Sequence, residues 1–84
     1  MATISNDLKQ ELERNPNTVA NVIVLVKDEA SVYTNQVRAR GITIRRAYTL
    51  IHGLALSGSG SAIIALASEP WVVSIEEDKQ VHTM

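Results

Sequence analysis

Cysteine and phenylalanine are absent from the 84 residues, proline occurs twice, and acids and bases nearly cancel to a net charge of −1. Without cysteine there is no disulfide, no thiolate nucleophile and no sulfur-ligated zinc or iron site. Without a surplus of Lys and Arg there is no basic surface to neutralise many phosphates, so nucleic acid is not an expected partner. No apolar run approaches the roughly 20 residues that span a bilayer. The opening stretch MATISNDLKQELER puts charges where a signal peptide has its apolar segment. No membrane partner is expected, and the chain, if complete, is expected to be cytoplasmic. A chain this short forms one domain and buries only about 60–65% of its unfolded surface. Its stability has to come from packing.

What is present divides into a leader, residues 1–18, and a domain, residues 19–84, with a tail at 79–84. Leu8 and Leu12, four apart among polar residues, predict a short helix over residues 6–14. Asn15-Pro16-Asn17 ends it, because proline lacks a donor and pushes the preceding residue out of helical geometry. NVIVLVK is β-branched and too short for a typical helix, which predicts a central strand. Asp28 stands where a helix cap would sit, Ala30, Tyr33 and Val37 form an apolar stripe, and Gly41 is placed as a stop. ITIRRAY and LIHGLAL predict two strands joined by a bend near Tyr48 and Thr49. SGSGS lacks the Lys-Ser/Thr ending of a nucleotide-binding loop and reads as an ordinary connection, with Ser59 or Ser61 capping a second helix. That helix carries Ala62, Ile63, Leu66 and Ala67 and stops at Pro70. WVVSIEED is the last strand.

The order strand, helix, strand, strand, helix, strand predicts an α+β fold: a ferredoxin-like, four-stranded antiparallel sheet with both helices on one face. The other face stays open. Alternation along the last strand puts Trp71, Val73, Ile75 and Glu77 on the helix side and Val72, Ser74, Glu76 and Asp78 on the open side. Trp71 is expected to pack at the strand's beginning. Glu76 and Asp78 are thus neighbours on an uncovered surface. An open sheet offers no cleft to separate the proton affinities of a catalytic pair, and a hard cation needs more oxygen ligands than this segment supplies. Two readings remain, a solvated edge and a cap for the N-termini of a partner's helices, whose free N–H groups attract carboxylates.

VIVLVKDEA, HGLAL and, above all, EPWVVSIEEDKQVHTM resemble the inhibitor I9 family, the propeptides of subtilisin-like serine proteases and free-standing relatives such as the fungal proteinase inhibitors. The resemblance covers residues 22–84. It implies the fold derived above, with the open face docked on two parallel surface helices of the protease and Glu76 and Asp78 capping them. It also implies a tail lying in the substrate cleft like a cleaved product. Met84 would fill the primary specificity pocket, Thr83 and His82 would follow, and Val81 would occupy the apolar pocket three residues upstream.

The remaining residues support little chemistry. His52 and His82 lack partners at metal-ligand spacing, and no Ser–His–acid set is arguable. Arg38, Arg40, Arg45 and Arg46 read as a solvated basic surface. Acylphosphatases share the strand order but use an arginine in a phosphate loop after the first strand, where this chain has KDEA. The expectation is a monomeric, non-enzymatic inhibitor of a subtilisin-like serine protease, with no cofactor and no metal. The beginning at Met1 and the end at Met84 without a protease domain favour a free-standing inhibitor. An excised propeptide, secreted with its protease and templating its folding, is the alternative. A ferredoxin-like interaction or oligomerisation module is the reading from outside the family.

Overall fold

Thr3–Ile4 (β1), Asn6–Arg14 (α1), Val19–Val26 (β2), Thr34–Ala39 (α2), Thr43–Ala47 (β3), Gly53–Ser59 (β4), Gly60–Leu66 (α3) and Val72–Glu77 (β5) make up the chain in a computed structural model. Residues 2–48 and 50–78 are described. The five strands form one mixed sheet in the order β1-β5-β2-β4-β3. The chain is therefore α+β, but the expected four-stranded antiparallel sheet is corrected. Strands β2 to β5 pair antiparallel, while β1 adds to the edge of β5 in parallel, Thr3 opposite Ser74 and Ile4 opposite Ile75. Two residues are too few to leave a periodic signal, so β1 was invisible to pattern reading.

Alternation along β2 separates the two faces of the sheet. Val22, Val24 and Val26 are buried with Leu54, Leu56, Val72 and Ile75 from the neighbouring strands, and the helices add Leu8, Leu12, Val37, Ile63 and Leu66. All belong to one core. The leader is part of it through Leu8 and Leu12, and its helix starts at Ser5, whose side chain accepts the Leu8 N–H at 3.2 Å. The turn after α1 also closes the start of α3. Gly60 N–H donates to Thr18 O and Ser61 N–H to Pro16 O, both at 3.1 Å, and Ser59 Oγ accepts from Ala62 N–H at 3.3 Å. Three of the four N–H groups a helix start leaves unpaired are thus satisfied. SGSGS is not a loop: β4 runs to Ser59 and α3 begins at the next residue.

Three further expectations are corrected. Asp28 does not cap a helix; its Oδ2 accepts the Tyr33 hydroxyl at 2.8 Å. The expected single helix is broken at Tyr33 into a 3₁₀ turn, Ala30–Val32, and α2, neither of which has a side-chain cap at its start. Gly41 ends the segment with φ of 78°, the left-handed geometry in which glycine avoids a Cβ penalty. In β5, Val73 does not face the helices. The pairing steps from Leu25–Ser74 to Val26–Val72, leaving Val73 as the extra residue of a bulge. Val72 is consequently 3% exposed and Val73 46%. Trp71 is buried just before the bulge and stacks on Tyr33, with ring centroids 4.3 Å apart.

Candidate functional site

The uncovered face is built by the residues that alternate with the core positions. Asn21, Ile23 and Leu25 line its centre on β2, opposite Ser57, Ala55 and Gly53 on β4. Directly opposed residues point to the same side of an antiparallel sheet. On β5, Ser74 opposes Leu25 and Glu76 opposes Ile23, which brings Glu76 onto this face. Asp78 lies one residue beyond the strand, and its N–H still donates to Asn21 O at 3.0 Å. The backbone therefore stays extended to the last described residue, and the two carboxylates of Glu76 and Asp78 are on one side. The bulge at Val73 does not disturb this, because both acids follow it and alternate from Ile75.

Asp78 is not free. Arg45 Nη1 donates to its Oδ2 at 2.9 Å, with the two side chains 35% and 23% exposed. Arg45 is the extra residue of a second bulge, since Ile44 pairs with Leu56 and Arg46 with Ala55. Arg45, Arg46, Tyr48 and Asp78 surround a concavity of about 280 Å³ whose floor is Ala55. Ala55 is 4% exposed although it lies outside the core, so these longer side chains cover it. Farther along, the Ser57 hydroxyl donates to Asn21 Oδ1 at 2.8 Å. Glu76 is exposed beside this network and belongs to neither of the ion pairs among the described residues, Arg45–Asp78 and Arg40–Glu69.

Arg38, Arg40, Arg45 and Arg46 are all exposed, as a solvated surface requires, and two of them are paired. Arg40 pairs with Glu69 in the turn after α3, and Arg45 reaches across the sheet to Asp78. Sequence reasoning missed the second contact because it depends on strand order and on the bulge that re-aims Arg45. Neither leaves a local pattern.

The tail residues Val81, His82, Thr83 and Met84 lie outside the described residues. Among the described residues no three His, Asp or Glu stand together as a metal site. A separate concavity of about 230 Å³ lies between α1 and β2, lined by Leu8, Leu12 and Ala20 and by Glu11, Thr18, Glu77 and Asp78. The open face carries carboxylates at one end and a floor of small residues. Comparison with models of known protein families and with curated proteins finds no match.

Proposed function

We propose that this chain inhibits a subtilisin-like serine protease without performing chemistry of its own. The observation that carries the reading is the placement of Glu76 and Asp78 together on the uncovered sheet face, at the end of β5 where the chain passes into residues 79–84. Carboxylates so placed can accept the free N–H groups at the start of a partner's helices and oppose their positive dipole ends. The five-stranded mixed sheet, with β5 between β1 and β2, holds the acids at the root of the tail.

In this reading Val81, His82, Thr83 and Met84 lie extended in the substrate cleft, gaining main-chain hydrogen bonds and alternate side-chain pockets as an added strand does. Val81 and Met84 are the apolar anchors. The docked face keeps the tail at high effective concentration, so two weak contacts combine into one strong one. The free protein is monomeric.

The test compares inhibition of a purified subtilisin by the intact chain and by a version ending at Gln80, both checked for fold by circular dichroism. The intact chain is expected to inhibit and the shortened, still folded one to lose most of its potency. If both are folded and neither inhibits, the face is instead the contact surface of an interaction module.

A further inference from the structure

We infer that Arg45 restrains the docking of the open face by holding Asp78 in the free protein. The inference rests on the protease reading above and names a residue that tunes it. Three strand spacings separate β5 from β3 in the sheet order β5-β2-β4-β3, a distance of about 14 Å at roughly 4.8 Å per step. An Arg–Asp pair can bridge that gap only by lying flat along the sheet. The contact at 2.9 Å and the cover over Ala55 are the result. The guanidinium therefore occupies the plane in which a docking partner would sit.

Two physical effects then act with the same sign. If Asp78 turns to a partner helix, the Arg45–Asp78 pair is lost and nothing on the open face described above replaces it. If instead Asp78 keeps Arg45 on Oδ2 and offers its other oxygen to the helix, the guanidinium is carried against the positive end of that helix's dipole. In either arrangement Arg45 opposes binding, while Glu76, unpaired by any described cation, engages without this competition. Glu76 is the ready half of the acid pair and Asp78 the restrained half.

The experiment measures inhibition of a purified subtilisin by the intact chain, the version ending at Gln80, and the variants Arg45→Met, Arg45→Gln, Arg46→Met, Asp78→Asn and Arg45→Met/Asp78→Asn. Fold is followed by circular dichroism and Trp71 fluorescence, and two Arg45 variants are used so that one folding failure is not decisive. Arg45→Met and Arg45→Gln are expected to tighten inhibition about two- to fivefold, the equivalent of an exposed ion pair. Arg46→Met removes the same charge without touching Asp78 and is expected to change less. Asp78→Asn is expected to weaken inhibition more in the Arg45→Met background than in the wild type. Unchanged or weaker inhibition by folded Arg45 variants overturns the role of Arg45 and leaves the protease reading standing, provided the intact chain inhibits and the shortened one does not. Equal tightening by Arg46→Met overturns it as well, reducing the effect to bulk charge. A folded intact chain that does not inhibit at all removes the protease reading and this inference together.

Discussion

Gly60 is the position where one added methyl group is expected to do the most damage. A Cβ there would sit 2.5 Å from Leu12 O and 2.7 Å from Asn15 O, both backbone atoms of the end of α1. No rotamer change relieves a backbone clash, so α1 and the start of α3 have to separate. Overpacking of this kind costs about 1–3 kcal/mol. The separation also strains the Gly60–Thr18 and Ser61–Pro16 hydrogen bonds, each 3.1 Å long and each contributing about 1 kcal/mol. Alanine's better helix propensity returns at most about 1 kcal/mol. The net expectation for Gly60→Ala is a loss of about 2–3 kcal/mol, a large share of the roughly 4–12 kcal/mol available to a domain of this length.

For a chain of this size that loss corresponds to a drop in Tm of roughly 10–20 °C. Thermal unfolding by circular dichroism and urea unfolding followed by Trp71 fluorescence both measure it. Trp71 is the single tryptophan, buried against Tyr33, and so reports on the core rather than on the junction. A Tm unchanged or raised in Gly60→Ala would mean that the close approach of α1 to α3 is not maintained in solution and that the leader is not built into the core.

Two other perturbations address the same core from different sides. Leu12→Ala removes a leader side chain that is only 3% exposed and is expected to cost about 2–5 kcal/mol; urea unfolding showing less than about 0.5 kcal/mol would indicate that α1 is only loosely attached. The Tyr33 phenol lies above its ordinary value because it donates to Asp28, with burial and the charge of Asp28 adding to the effect. A group raised in the folded state contributes stability that is complete below the unfolded value, about 10, and that disappears as pH rises through the folded one. Tyr33→Phe keeps the stack on Trp71, so it is expected to lower stability slightly at neutral pH and to lose less stability than the wild type at alkaline pH. Parallel pH–stability curves for the two proteins would show that the Asp28 contact is not formed in solution.

Local patterns in the residues carry much of this architecture. The Leu8–Leu12 spacing marks α1, the β-branched run at residues 21–27 marks β2, and Ser59 is a cap in the structure as in the pattern. Counting alternate positions from Ile75 is enough to put Glu76 on the open face. The illegible features are those where one residue is inserted or a contact is remote. A bulge at Val73 exchanges the sides of Val72 and Val73, and a second at Arg45 aims that side chain across two intervening strands. The Tyr33–Asp28 hydrogen bond takes up the carboxylate expected to cap the helix, a side-chain contact that periodicity does not register. The glycines of SGSGS read as part of an ordinary connection in the sequence. In the fold they are tight contacts, Gly58 against Ile42 and Gly60 against the α1 backbone.

The leader connects the stability of the domain to its proposed work. Through β1 it pairs with β5 at Ser74 and Ile75, the two residues immediately before Glu76. Through Pro16 and Thr18 it supplies carbonyls to the start of α3. The acids of the open face therefore extend from a strand whose outer edge is closed by a segment far away in sequence. If the leader detaches, that edge is exposed, α3 loses part of its cap and the core loses Leu8 and Leu12. Such partial opening has a lower free energy than global unfolding and is populated more often. A protease held at its own inhibitor cleaves in proportion to that open population when opening and closing are fast. A chain weakened at Gly60 or Leu12 would then begin as an effective inhibitor and become a substrate, with no change in any residue that meets the enzyme.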